Sequence, residues 1–246
     1  MRDRLTLVVP AFDEAPTIGW TIRSIASAVA PLLDDGRLGA VDLVVADDHS
    51  TDATATVALD AGAAAGLAVS VVPVDGPQGL GAAIRTGLAA ATGDLVLYTD
   101  ADLPFDPGEI GRLLRVLDTY DADLLCGYRF DRTGEGPRRA VQSWIYNGMA
   151  RAVLPVPSRD VNFACKLIRR RLLERADLRL ESIGSFVDVE LLARAQRADA
   201  RIVHVGLDYF PRHGTASTLG GVQAIKGIVA DYRRIGGPLR RTRRWR

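Results

Sequence analysis

The sequence predicts an α/β fold, a mainly parallel sheet flanked by helices in a single domain. Three observations carry this. Short runs of strand composition alternate with helix-spaced apolar positions through the first half of the chain, which is the pattern of βαβ units. Several of those runs end abruptly in carboxylates, as Leu95-Val96-Leu97-Tyr98-Thr99 does at Asp100-Ala101-Asp102, and ligands of open α/β sheets bind at the carboxyl ends of the strands. At 246 residues, with 48% hydrophobic and 25% charged side chains, the chain has the size and composition of one large globular domain.

Leu5 to Pro10 is the first expected strand. Thr17, Ile18, Thr21, Ile22, Ile25 and Val29 then recur at helical spacing as far as Pro31. Val41 to Ala46 is the second strand, and Ser50-Thr51-Asp52 offers N-cap chemistry to the Ala-rich helix that follows. Val69 to Val74 and Leu95 to Thr99 are the third and fourth strands. Ile110, Leu113, Leu114 and Leu117 share one face of a helix over Pro107 to Tyr120, and Leu124 to Phe130 is a fifth strand. Beyond it the alternation loosens: Arg138 to Leu154 reads as helix, Asn162 to Ile168 as strand, Phe186 to Gln196 as helix and Arg201 to Tyr209 as strand. Val222, Ile225, Ile228, Val229, Tyr232 and Ile235 predict a C-terminal amphipathic helix, followed by a Gly236-Gly237-Pro238 break and a basic tail. The division is therefore residues 1–221 and an appended 222–246.

No apolar run approaches the roughly 18 residues of a membrane span, and the short apolar stretch after Met1-Arg2-Asp3-Arg4 meets Asp13-Glu14 without a cleavage site, so it reads as a strand and not a leader. Cys126 and Cys165 lack paired spacing and read as buried thiols of a reducing compartment, which suggests the cytoplasm. The net charge of +1 gives no reason to expect a nucleic-acid partner, yet Arg233 to Arg246 holds seven arginines and no acid. With Trp245 among them, that end suits an anionic membrane surface, the alternative being a solvated tail.

On an extended segment the side chains at i and i+2 share a face. Asp100 and Asp102 can therefore reach one hard cation, Mg2+ or Mn2+, whose other ligands are phosphate oxygens and water. Asp121-Ala122-Asp123 repeats the tripeptide but precedes a strand, where turn residues are the better reading. Glu14, Asp47, Asp48, Asp100 and Asp102 all follow strands. Their convergence on one crevice is costly unless a cation or hydrogen-bond donors compensate; a metal-bound nucleoside diphosphate supplies both, with Asp48 on the nucleoside and Asp102 on the cation. Gly76-Pro77-Gln78-Gly79-Leu80-Gly81 competes as a dinucleotide-binding turn, with a strand before, a helix after and Asp100 downstream. Ile84 stands at its third glycine, however, and the turn follows the third strand, so a plain glycine-rich loop is preferred. His49, His204 and His213 lie beside no nucleophile and read as hydrogen-bonded scaffold.

Val8-Val9-Pro10-Ala11-Phe12-Asp13-Glu14, Val44 to Asp52, Gly79 to Gly87 and Asp100-Ala101-Asp102, in this order and spacing, resemble glycosyltransferase family 2 of the GT-A (Rossmann-like) fold. The likeness is closest to the dolichyl- and polyprenyl-phosphate mannosyl- and glucosyltransferases, and it continues through Cys126 to Phe130, Asp160 to Lys166 and Arg212 to Ser217. It implies an inverting, metal-dependent hexosyltransferase acting from GDP-mannose or UDP-glucose on a polyprenyl monophosphate, peripheral at the cytoplasmic face of the membrane. A soluble hydroxyl acceptor, or nucleotide binding without turnover, are the alternatives; the oligomeric state is not read. By position, the resemblance implies that Pro10, Phe12, Glu14, Asp47, Asp48, Arg85 and Ala101 hold the nucleotide sugar and that Asp100 and Asp102 hold metal and diphosphate. Arg129 and Arg212 then approach phosphate, Asp160 stands near the acceptor as a candidate general base, and Arg212 and Ser217 meet the acceptor phosphate; Arg138 and Arg139, which precede a helix on the presumed acceptor side, are either a solvated face or further contacts to that phosphate. Several positions depart from the family pattern: Phe12-Asp13 replaces Tyr-Asn, His49 replaces Gly, Pro104 replaces a polar residue that can help ligate metal, Thr218 replaces Lys, and Phe163-Ala164-Cys165 interrupts the later motif.

Overall fold

The structure, a computed structural model, describes residues 3–130, 150, 159–175, 178–210 and 229–236. The elements are β1 (Arg4–Ala11), α1 (Ala15–Asp34), β2 (Ala40–Asp47), α2 (Thr54–Ala65), β3 (Ala68–Pro73), α3 (Leu80–Ala90), β4 (Leu95–Thr99), α4 (Ile110–Thr119), β5 (Leu124–Arg129), β6 (Cys165–Arg169), α5 (Arg170–Leu173), α6 (Val187–Arg197) and β7 (Ile202–Leu207). Seven strands form one sheet in the order β3-β2-β1-β4-β6-β5-β7. Only β6 runs antiparallel to its neighbours β4 and β5; the other pairings are parallel. The mainly parallel sheet expected from the sequence is present.

Strand alternation divides the core. Leu5, Leu7, Leu95 and Leu97 pack with Ile18, Ile22 and Ile25 of α1 and Leu113 and Leu117 of α4. Val8, Val96 and Tyr98 point the other way and pack with Ile84 and Leu88 of α3 and Val187 and Leu191 of α6. Successive residues of the central strands meet apolar layers on both faces, which is why β1 and β4 read as continuous hydrophobic runs.

Three departures from the expected boundaries have a physical reason. α1 continues through Pro31 to Asp34, because in the last turn the missing N–H only frees the carbonyl of Ser27, an exposed residue. β6 begins at Cys165 and not Asn162, since the residues before it form a loop held by Lys166. The N-cap of α2 is Ala53; the predicted capping chemistry arrives one residue earlier, from the Asp52 carboxylate, which accepts the Thr54 N–H at 2.9 Å.

The predicted helix Arg138 to Leu154 lies outside the described residues except Ala150. Of the C-terminal stripe, Tyr232 packs edge-on against Phe186 with ring centroids 6.2 Å apart, and Ile235 is buried in the same cluster. Ile235 is therefore a core residue, and Tyr232 is partly buried against the same core. Val222, Ile225, Ile228 and the tail from Arg240 lie outside the described residues. No described helix is long and apolar enough to cross a membrane.

Candidate active site

The parallel strands β1, β2 and β4 present their carboxyl ends on one edge of the sheet, with Ala11 paired to Asp47. The loops bearing Glu14, Asp48 and the Asp100-Ala101-Asp102 segment therefore open on the same side. Asp121 and Asp123 precede β5, which two antiparallel pairings make parallel to β4, so they sit at the opposite edge. There Asp123 accepts Arg171 Nε at 2.7 Å and the Arg201 N–H at 2.9 Å, and Asp121 pairs with Arg171 and Arg201 at 3.3 and 3.4 Å. The second tripeptide is a structural anchor.

Hydrogen-bond donors from the protein itself account for part of the acid cluster. Asp47 accepts the Ser50 N–H at 3.0 Å. Glu14 is joined by the Thr17 hydroxyl, and its N–H donates to Thr54 Oγ1 at 2.8 Å. Asp48, buried, accepts the Gly79 N–H at 2.9 Å and lies 3.3 Å from His49 Nδ1. Among the described residues no three His, Cys, Asp or Glu side chains gather tightly enough to hold a metal by themselves. Asp13, at φ 51°, accepts the Thr51 and Asp52 N–H groups at 2.7 and 3.3 Å and ties the β1 loop to the β2 loop. His49 has φ 67°, a left-handed conformation natural to glycine; this explains geometrically what the departure at that position costs.

The Asp100-Ala101-Asp102 turn is fixed from three directions. The buried Ala101 carbonyl accepts the Thr21 hydroxyl of α1, so the backbone of Ala101 is already engaged. The Leu103 N–H donates to Asp100 O at 3.2 Å, with Leu103 itself buried at φ 44°, and Phe210 N–H donates to Pro104 O at 3.1 Å. A non-glycine residue held left-handed costs on the order of 1 kcal/mol, which burial of the leucine offsets. Asp100 and Asp102 are both partly exposed residues on this anchored turn, with Asp102 Oδ1 turned inward, and paired hard oxygen donors suit a divalent ion such as Mg2+ or Mn2+.

On the β5 side, Arg129 Nε lies 3.1 Å from Asp160 Oδ2, and Asp160 is 1% exposed. The Arg129 guanidinium also covers the Tyr209 and Phe163 rings at 4.9 and 5.8 Å. Sequence reasoning assigned no role to the group behind this pair. Lys166, wholly buried, donates to the carbonyls of Val161 and Phe163 at 3.1 and 2.5 Å and lies 3.4 Å from Asp188 of α6. The available signal was a lysine inside the apolar strand Cys165-Lys166-Leu167-Ile168. Burial pushes the thiols of Cys126 and Cys165 up to about 12, which makes both inert packing residues.

Pro10 lies within β1, paired with Ala46, and Phe12 is exposed beyond it. Arg85 Nη1 donates to the Glu181 carbonyl at 3.2 Å. Arg138, Arg139, Arg212 and Ser217 lie outside the described residues. The glycine-rich loop is not a dinucleotide turn: the N–H groups of Gly81 and Ala82 that would meet a pyrophosphate donate instead to Ile183 O at 2.7 and 3.1 Å. The close helix-to-strand approach is made at Gly87, where a Cβ would stand 2.3 Å from Val8 Cγ1.

Residues 6–176 match the family described as "Glycosyl transferase family 2". The chain is 32% identical to the glycosyltransferase AglD of Haloferax volcanii over 94% of its own length and 36% of that protein. It is 30% identical to the dodecaprenyl-phosphate galacturonate synthase of Rhizobium johnstonii over 71% of its length and 50% of that protein. It thus spans about a third to a half of these curated relatives. Among solved structures, glucosyl-3-phosphoglycerate synthase from Mycobacterium tuberculosis in complex with Mn2+, UDP-glucose and phosphoglyceric acid superposes with a TM-score of 0.70 at 26% identity, covering 95% of this chain and 80% of that one. The GT-A architecture expected from the motifs is the fold observed.

Proposed function

The chain belongs to glycosyltransferase family 2, and on that basis we propose that it moves a hexose, with inversion, from a nucleoside diphosphate sugar such as GDP-mannose or UDP-glucose to a polyprenyl monophosphate. The observation that carries the reading is the single sheet edge onto which the Asp48 loop and the anchored Asp100-Ala101-Asp102 turn both open, on either side of β1. Asp100 and Asp102 would hold the divalent ion, whose charge offsets that developing on the departing diphosphate. Asp48, already oriented by the Gly79 N–H, retains acceptor capacity for nucleoside donors. In an inverting displacement the acceptor oxygen forms its bond to the anomeric carbon as the bond to diphosphate breaks, the electron pair leaving with the diphosphate. A phosphate monoester is already largely ionised at neutral pH. Asp160, fixed by Arg129, then serves to orient the acceptor more than to remove a proton.

The name of the Rhizobium relative supports a lipid-phosphate acceptor. The Mycobacterium neighbour, which binds phosphoglyceric acid, supports a second reading with a soluble phosphorylated acceptor. To decide, UDP, GDP and their sugars are screened for thermal stabilisation with and without Mn2+, and the stabilising donor is then assayed with a polyprenyl phosphate and with 3-phosphoglycerate. Metal-dependent stabilisation and transfer to the lipid are expected; transfer only to 3-phosphoglycerate replaces the acceptor, and no stabilisation by any nucleotide sinks the reading.

A lipid acceptor brings the enzyme to the membrane, and the basic end is the segment suited to that contact. Each arginine near an anionic surface contributes on the order of 1 kcal/mol. Deleting residues 240–246 is expected to weaken sedimentation with anionic vesicles at low salt and to raise KM for a long-chain polyprenyl phosphate, leaving nucleotide-sugar binding unchanged. Equal pelleting of both proteins would show the tail to be a solvated end.

A further inference from the structure

The loop from Glu181 to Gly184 is gripped from two sides. The Glu181 N–H donates to the Glu190 carboxylate of α6 at 3.0 Å and the Ser182 N–H at 2.7 Å. The next two N–H groups, of Ile183 and Gly184, donate to Asp231 Oδ2 at 3.2 and 2.9 Å. Four successive amides therefore end on two carboxylates, of which Glu190 is 0% and Asp231 5% exposed. Arg194 and Arg234 complete the arrangement, Arg194 Nε meeting Glu190 at 2.7 Å, and Arg234 meeting Asp231 and the Glu181 carbonyl at 2.8 Å each.

The carbonyls of the same loop face the start of α3. Ile183 O accepts the N–H groups of Gly81 and Ala82. The approach is backbone against backbone: a Cβ at Gly79 would stand 2.4 Å from Ile183 O, and one at Gly81 2.5 Å from Ser182 O. Directly ahead of this contact, the Gly79 N–H donates to Asp48 Oδ2, and Gln78 Nε2 to Asp48 O at 3.2 Å. A continuous series of hydrogen bonds thus runs from Asp231, near the C-terminus, to the acid at the end of β2.

We propose that Asp231 is a positioning residue for the nucleotide-sugar site: by holding Ile183 and Gly184 it fixes where α3 begins, and so the direction of the Asp48 carboxylate. This rests on the reading that Asp48 holds the nucleoside. The glycine-rich turn is then a latch and not a phosphate cradle, its amides consumed by protein so that a carboxylate on the neighbouring strand is correctly aimed. A residue 183 positions away in sequence acts on the donor without touching it.

The test uses the full chain and three readouts: calorimetric binding of UDP and GDP with Mn2+, steady-state kinetics with the matching sugar donor, and amide hydrogen exchange over residues 79–84. Asp231→Asn keeps the size of the side chain and removes its charge. It is expected to weaken nucleotide binding and raise donor KM by about tenfold, with kcat within about twofold, and to speed exchange at Gly81 and Ala82. Arg234→Ala leaves Asp231 in place but removes its ion pair, and should shift KM in the same direction by about threefold; it provides the answer if Asp231→Asn does not fold. Gly81→Ala attacks the same contact from the other side, so its loss of affinity should fail to add to that of Arg234→Ala. Faster exchange with unchanged Kd and KM would reduce Asp231 to a purely structural residue, and unchanged exchange would overturn the latch. Wild-type protein that binds neither nucleotide would instead overturn the reading of Asp48, and the proposal with it.

Discussion

Asp102→Asn is expected to lower turnover at least about a hundredfold while leaving the protein folded: on the proposed reading its carboxylate holds the ion that stabilises a departing diphosphate, which contributes several kcal/mol to the barrier, and an amide cannot replace a carboxylate on a divalent ion. The matched control is Asp123→Asn in the second copy of the tripeptide. That carboxylate accepts Arg171 and the Arg201 N–H on the far edge of the sheet; its neutralisation weakens two charge-assisted bonds, at a cost of about 1 kcal/mol. For a chain of this size such a loss lowers Tm by roughly 2–4 °C, with turnover unchanged. The two variants should therefore separate cleanly, one losing rate without stability and the other stability without rate. Equal losses of activity, or full activity in excess chelator, would remove Asp102 from the metal.

The two copies also show what a sequence does and does not disclose. Asp100-Ala101-Asp102 and Asp121-Ala122-Asp123 are the same tripeptide, and only the side of a strand on which each falls tells them apart. Strand runs are legible because β1 and β4 are apolar on both faces, so the site edge was legible with them. What could not be read was how the acids are compensated. Asp47, Asp48 and Glu14 look alike as acids after strands, yet backbone and hydroxyl donors from Ser50, Gly79 and Thr17 satisfy each locally. That outcome depends on loop conformations, such as the left-handed turns at Asp13 and His49, which leave no periodic trace. The supports most distant in sequence were the least visible. Thr21 appeared only as a helix position, although its hydroxyl holds the Ala101 carbonyl. Ile183 gave no sign of capping α3, because a carbonyl cap carries no side-chain signature.

The second large effect is expected at Lys166. Its ammonium lies wholly buried between the carbonyls of Val161 and Phe163 and the Asp188 carboxylate, and so fastens the loop bearing Asp160 to β6 and α6. Lys166→Met deprives two carbonyls of a donor and leaves a buried acid without its counter-charge. Breaking such a pair from one side costs about 3–5 kcal/mol, a fall in Tm on the order of 10 °C for this chain length. Burial already pushes the Asp188 carboxyl above its ordinary range, with Lys166 opposing that rise. Without the lysine the carboxyl rises further, and the folded state binds a proton that the unfolded state does not. The variant's stability deficit should consequently shrink as pH falls towards the ordinary carboxylate range. Replacing both partners, as Lys166→Met with Asp188→Leu, removes the uncompensated charge and should recover much of the stability. Activity should not follow, because the Val161 and Phe163 carbonyls still lack the donor that sets the loop carrying Asp160. Thermal melts and turnover of the single and double variants decide the matter: a double variant with wild-type turnover would show that the buried pair supports the fold alone and has no part in placing Asp160.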